Sequence, residues 1–271
     1  MTERKPPLAT KSMIVQGLTS LGVEAGQVLM LHASVKAVGW VVGGPDVVLD
    51  ALLEVLTPAG TLMMYVGWED SPYPMDEWPA EKRQAYLDEC PAFDSATSRA
   101  NREWSILAEY VRTKPGARRS ANPEWSMVAI GARAEWLTKD HPLQYGSGPG
   151  SPLERLVQAQ GKVLLLGSPL TDVTLLHYAE HLADVPNKRI VRYQVPIMFE
   201  GRRQWVHIEE LDSSRGIVDW PGGNYFEAIM RDYHAADSAR EGLVGAARSY
   251  LLDAAGLVEF ATRWMARSFR E

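Results

Sequence analysis

The chain has 271 residues, 46% hydrophobic and 23% charged, the proportions of an ordinary folded protein rather than a disordered one. Thirty-four acidic against 28 basic side chains leave a net charge of −6, which argues against a nucleic-acid partner, since that needs a basic face, and suits a cationic one. One cysteine, Cys90, excludes an internal disulfide and a thiolate-rich metal site.

Met1–Pro7 carries basic charge with no apolar core behind it, unlike a secretory signal, and no apolar run reaches the ~18–20 residues of a membrane span. The cytoplasm is therefore the expected compartment, with no membrane partner. Met13, Ile14, Leu18 and Leu21 recur at helical spacing over Ser12–Leu21. Gln27–His32 reads as a buried strand, and a glycine-rich loop, Ala33–Pro45, follows it. Asp46–Leu56 is patterned as a helix, ended by Pro58 and Gly60, and Thr61–Val66 reads as a second strand. Strand, loop, helix, strand is the pattern of a parallel sheet covered by helices.

Residues 67–103 differ, being rich in tryptophan, acids and proline with no sustained period, as expected of a functional loop. A helix near Trp104–Arg112, a loop from Gly116 to Met127, a short strand at Met127–Ile130 and a helix over Ser151–Gln160 come next. Gly161–Gly167 reads as a buried strand, and the helix after it as entered through Thr171 or Asp172. Arg189–Phe199 and Arg203–Ile208 form a hairpin through Glu200-Gly201, and Leu257–Ser268 is a closing helix. This length accommodates one large α/β domain or two small ones. With no repeat and no clear linker, one domain over 1–271 is expected, carrying an insertion at about 67–103.

On the helix after Gly167, His177 and Glu180 are three residues apart and share a face. A solvated surface pair has the same spacing. An imidazole beside a carboxylate is, however, what proton removal near neutral pH requires, and strand-to-helix transitions are where α/β proteins expose reactive groups. Thr174, one turn earlier, offers a hydroxyl for an oxyanion. The Ala33–Pro45 loop suits a phosphate yet matches neither G-x-x-x-x-G-K-[ST] nor G-x-G-x-x-G, so a plain connection is equally compatible. Arg118-Arg119, with Ser120 and Asn122, suits bidentate phosphate recognition or plain solvation. The acids Glu69, Asp70, Asp76, Glu77, Glu209, Glu210 and Asp212, interleaved with Tyr65, Trp68 and Tyr73, suit an amine-rich ligand. No metal site is expected: the six histidines are dispersed, and His177/His181 lack the intervening glutamate of a zincin. A serine hydrolase is not expected either, in the absence of G-x-S-x-G.

Seven short stretches, in this order, resemble the aminoglycoside 3-N-acetyltransferase family of antibiotic-resistance enzymes: Leu31–Gly39, Gly43-Gly44, Pro91–Thr97, Gly116–Pro123, Gly150–Pro152, Lys162–Gly167 and Leu176–Glu180. The similarity extends from about residue 10 to the C-terminus. It implies one α/β domain around a mixed central sheet covered by helices, distinct from the GNAT acetyltransferase fold. It also implies acetyl-coenzyme A as donor and the 3-amino group of a 2-deoxystreptamine aminoglycoside as acceptor. The family's L-H-x-A-E histidine and glutamate fall on His177 and Glu180; Asn122 departs from it, as members often carry histidine there.

His177 is then the expected general base, Glu180 its orienting acid and Thr174 a donor to the carbonyl oxygen, with direct transfer in a ternary complex because Cys90 lies in the insertion. Ser34, Lys36, Val41, Val42, Gly43, Gly44, Arg118 and Ser120 are expected on the cofactor side. Tyr65, Glu69, Asp70, Asp172, Glu210 and Asp212 are expected to form an anionic wall for the acceptor. Alternatives are a protein that sequesters aminoglycosides without catalysis, and an acetyltransferase for another amine. A monomer or a homodimer is compatible with the sequence.

Overall fold

The computed structural model describes residues 6–73, 75, 78–236 and 238–269. In chain order the first elements are β1 (Leu8–Ala9), α1 (Lys11–Leu21), β2 (Val28–Ala33), α2 (Val35–Val38), β3 (Trp40–Val41), α3 (Pro45–Leu56) and β4 (Thr61–Tyr65). Helix α1 starts where the Thr10 side chain accepts from Met13 N–H and stops at Gly22, whose left-handed backbone returns its N–H to Leu18 and Thr19. The loop expected over 33–45 thus contains one short helix and a two-residue strand.

The middle of the chain supplies α4 (Ala80–Glu89), α5 (Ile106–Thr113), β5 (Arg118–Arg119), β6 (Met127–Gly131), α6 (Ala134–Thr138), α7 (Pro152–Gln158), β7 (Lys162–Leu166) and α8 (Leu175–Leu182). Helix α4 escapes a periodicity search because none of its residues is buried. Helix α7 begins as its sequence requires, with Ser151 capping Glu154 N–H and Pro152 in the first turn.

The last third holds the hairpin β8 (Ile190–Phe199) and β9 (Arg202–Leu211), then α9 (Tyr225–Ala235), β10 (Ala239–Val244), β11 (Ala247–Asp253) and α10 (Ala254–Ser268). Sequence patterning left α6, α9, β10 and β11 unassigned. Strand β10 is an edge strand, mostly solvated, so it carries little apolar alternation.

Among the described residues the central sheet has seven strands in the order β10-β11-β7-β2-β4-β6-β5. β7, β2 and β4 are parallel neighbours, while the β11–β7, β10–β11, β4–β6 and β5–β6 pairs are antiparallel. This is the expected mixed α/β architecture. Strand alternation sends Leu29, Leu31 and Ala33 of β2 into one core with α1 and α3, and Val28 and Met30 into the other with α8 and α10. Leu175 and Leu176 of α8 are fully buried in that second core, at about 1.5–3 kcal/mol per side chain. The helix bearing His177 is thereby fixed over the C-terminal ends of the parallel strands. No helix of the described residues is long and apolar enough to cross a membrane.

Candidate active site

After β7 the chain turns at Gly167, whose positive φ of 66° and close approach to Ala37 leave no room for a side chain. A single 3₁₀ turn, Leu170–Asp172, intervenes before α8, so the helix starts at Thr174 rather than at Thr171 or Asp172. His177 Nδ1 lies 2.7 Å from Glu180 Oε2. With Nδ1–H donated to that carboxylate, the neutral ring presents a lone pair at Nε2. Glu180 is 2% exposed, and its other oxygen accepts from the Tyr225 hydroxyl. Tyr225, which sequence reading overlooked, also receives Ile217 N–H at 3.1 Å; burial first, then the Glu180 charge, hold its phenol far above the ordinary range. Trp125 and Phe226 pack on the imidazole, with ring centres 4.9 and 4.8 Å away.

His177 opens on a cleft of about 1350 Å³. That exceeds the ~300–1,000 Å³ usual for one small ligand. Part of its wall comes from the ends of β2 and β7: His32, Ser34, Lys36, Ser168, Thr171 and Thr174, with Trp104 and Ile106 opposite. Another part comes from the 67–103 segment, the 122–126 loop and the β8–β9 hairpin: Ser71, Tyr73, Glu124, Trp125, Tyr193 and Glu210.

Of the expected cofactor residues, Ser34 and Lys36 border the cleft and the others do not. The N–H groups of Trp40 and Val42 are spent on Pro7 and Ala9, and that of Gly44 on Val41, and Val41, Val42, Gly43 and Gly44 do not line this cleft. Arg118 and Arg119, adjacent in β5, do not act together. Arg118 is solvent-exposed at the sheet edge. Arg119 turns inward, donating to Ser126 Oγ at 3.1 Å and to the Ser98 and Gly67 carbonyls, and burial lowers its guanidinium to about 10. Ser120 is 1% exposed, hydrogen-bonds with His141 Nδ1 and Met127 N–H, and does not line the cleft. Asn122 is likewise structural, accepting from Trp125 N–H at 2.8 Å and donating to Pro142 O at 2.7 Å. A side chain on Gly146 would collide with that amide.

The expected anionic wall divides in the same way. Tyr65, Asp172 and Glu210 border the cleft. Tyr65 gives its hydroxyl proton to Glu124 O at 2.8 Å, and burial raises the Asp172 carboxyl. Glu210 is 2% exposed; Oε1 accepts from Leu211 N–H at 2.9 Å and faces His181 Nε2 at 3.3 Å, while Oε2 has no partner among the described residues. Glu69, by contrast, is clamped by the Arg102 guanidinium and backbone N–H at 2.9–3.1 Å. Asp70 contributes its carbonyl to Tyr86 and no side chain to the cleft. Asp212, fully buried, closes a turn by accepting from Ser214 N–H, Ser214 Oγ and Arg215 N–H at 2.8–3.0 Å. Asp76 and Glu77 lie outside the described residues. The acid that sequence reading passed over is Glu124, half-buried at the cleft with Ser71 as a side-chain donor, and raised to about 7 by loss of solvent.

The 67–103 segment is held by its own small core, Trp68, Cys90 and Phe93. Phe93 exchanges backbone hydrogen bonds with Pro196 and Met198 of β8, and Arg203 of β9 donates to the Asp88 and Cys90 carbonyls. Burial lifts the Cys90 thiol to about 11, which leaves it protonated and a poor nucleophile. No cluster of three or more metal-ligating side chains exists among the described residues.

A sequence-family model described as Aminoglycoside 3-N-acetyltransferase matches residues 30–266. Aminoglycoside N(3)-acetyltransferase III of Pseudomonas aeruginosa is 50% identical over 260 residues, covering 96% of this chain and 94% of its own length. Two solved structures superpose with a TM-score of 0.89. One is AAC-IIIb in a binary complex with CoASH, 44% identical, with 96% of this chain and 97% of that one covered. The other is AAC-VIa bound to sisomicin, 41% identical, with 96% and 98% covered.

Proposed function

This chain belongs to the aminoglycoside 3-N-acetyltransferase family, and from that premise we propose that it moves the acetyl group of acetyl-coenzyme A onto the 3-amino nitrogen of 2-deoxystreptamine aminoglycosides. Coenzyme A chemistry and antibiotic resistance follow from the family, and sisomicin binding by one structural neighbour supports the acceptor class. The observation that carries the reading is the His177–Glu180–Tyr225 relay, opening on a cleft roomy enough for donor and acceptor together.

The relay supports a definite proton path. An ammonium nitrogen has no lone pair, so the acceptor amine must lose a proton to attack. Nε2 of His177 is the lone pair positioned to take it, and Glu180 holds the ring and balances the imidazolium. Thr174, whose hydroxyl makes no capping bond and borders the cleft, donates to the oxygen on which negative charge develops. Ser34 and Lys36 suit the anionic end of the donor, Lys36 as a point charge for phosphate. The buried hydroxyl of Ser168, without a partner among the described residues and just beyond β7, fits a polar arm laid along this side.

Glu124, Glu210 and Asp172 suit the polycationic acceptor, in a partly desolvated cleft where several carboxylates act together. Tyr73 and Tyr193, with ring centres 4.6 Å apart beside Glu124, add π faces for its ammonium groups. The test is a thiol-release assay with acetyl-coenzyme A against a panel of amines. Release is expected with 2-deoxystreptamine compounds and lost when the 3-amino group is missing. No release with any such compound overturns the proposal.

A further inference from the structure

His32 has no part in the chemistry above, yet it lies on the floor of the same cleft. Alternation along β2 puts its side chain on the sheet face that carries Met30, the face covered by α8. Met30 pairs with Met63 of β4, so two residues further on His32 stands level with Tyr65. The Tyr65 ring is 5.9 Å from that of Trp125, which in turn packs on His177. His32 thus sits beneath the aromatic shell of the reactive imidazole.

Its Nε2 is buried with no hydrogen-bond partner among the described residues. Such groups are rare because an unmade bond in a low-dielectric site is costly, and a ligand that completes it recovers the loss. The Ser168 hydroxyl is in the same state, two residues beyond β7, whose Leu165 is the register partner of His32. The two orphaned atoms stand at the C-terminal ends of adjacent parallel strands, His32 in the last stretch of pairing and Ser168 just beyond, where open α/β sheets receive ligands. Loss of solvent lowers the His32 ring to about 4, so at neutral pH it is an uncharged donor that does not compete with His177 for the proton.

We propose that His32 is a further catalytic residue, its Nε2–H donating to the carbonyl oxygen of the donor thioester as the acceptor nitrogen attacks. The assignment rests on the acetyl-transfer reading above. In the step, the amine lone pair forms the C–N bond and the carbonyl π pair moves onto oxygen, where His32 and Thr174 stabilise it. Reclosure of the C=O bond expels the coenzyme thiolate. The ammonium proton leaves through His177 to solvent before attack; the proton that the nitrogen sheds once bonded to carbon goes to His177 and on to that sulfur, giving the amide and free thiol.

Two variants of like size separate this role from packing: His32→Gln keeps an N–H donor and His32→Met does not. Turnover is expected to fall about 100-fold in His32→Met and to recover by at least ~10-fold in His32→Gln, the scale of one oxyanion donor. Affinity for free coenzyme A, which has the pantetheine amides but no acetyl carbonyl, should stay within about 3-fold in both by calorimetry. Equal turnover of the two variants, fast or slow, overturns the proposal. So does a loss of coenzyme A affinity that matches the loss of rate, which assigns His32 to the pantetheine arm. Absence of thiol release by the unaltered protein would overturn acetyl transfer itself, a result told apart because it precedes any substitution.

Discussion

Helix α8 carries two histidines one turn apart, each beside a buried glutamate, and they differ in what is left over. His177 engages Glu180 through Nδ1 and turns its other nitrogen to the cleft. His181 uses Nε2 on both Ser147, at 3.0 Å, and Glu210, at 3.3 Å, and its ring is 8% exposed under the edge of Tyr145. The first partner is local, three residues along the same helix; the second arrives from the β8–β9 hairpin. The ring that borders the cleft is the one proposed for proton transfer, and the ring held by tertiary partners ties loop 141–150 and the hairpin to α8.

The largest effect that tests this contrast is His177→Ala, for which turnover should fall at least ~100-fold while calorimetry shows aminoglycoside binding retained. Near-normal turnover would remove the base assignment, and lost binding would turn His177 into an acceptor contact. Tyr225→Phe should come next. Deleting a buried hydroxyl that donates to a carboxylate costs about 1.5–3 kcal/mol in denaturant melts, and turnover should drop together with stability. A variant with unchanged stability would mean that Glu180 does not depend on that bond.

His181→Ala sharpens the comparison from the other side. A cost of about 1–2 kcal/mol is expected from leaving Glu210 without its partner, with the acceptor KM rising and kcat falling far less than in His177→Ala. A kcat loss equal to that of His177→Ala would erase the distinction between the two rings.

The smallest effect concerns a half-buried carboxylate with few donors. Glu124, raised to about 7 in the folded protein from an ordinary 4.5, holds its proton more tightly folded than unfolded. Its contribution to stability is therefore fully present below the unfolded value and is lost as pH rises through the folded one. Stability measured between pH 4.5 and 7.5 should decline less steeply in Glu124→Gln than in the unaltered chain. Binding of a polycation, which favours the carboxylate, should release a fraction of a proton near pH 6 in the unaltered chain alone, seen as buffer-dependent heat. Identical profiles would show that Glu124 is already ionised.

The same division governs what could be read ahead of the structure. The His177–Glu180 pair was legible because helical spacing alone brings residues three apart together, and the strand before it announced itself by its glycine-bounded apolar run. Strands β10 and β11 stayed hidden because an edge strand such as Ala239–Val244 is mostly solvated and β11 pairs with a strand more than 80 residues earlier. Acids chosen by type alone split: Glu210 faces the cleft, while Glu69 is consumed by Arg102 and Asp212 by its own turn. Arg118-Arg119 looked like a phosphate clamp, but strand alternation sent the two guanidinium groups to opposite sides.

By itself the sequence determined the helix face that holds His177 and Glu180, the parallel strands beneath it and the family of the chain, because these depend on local periodicity and short motifs. Only the tertiary structure decided which polar atoms are left unpaired at the cleft. Whether His32, Glu124 or Glu210 retains a free donor or acceptor depends on partners brought from distant segments, and burial turns that remaining hydrogen-bonding capacity into a demand for a ligand.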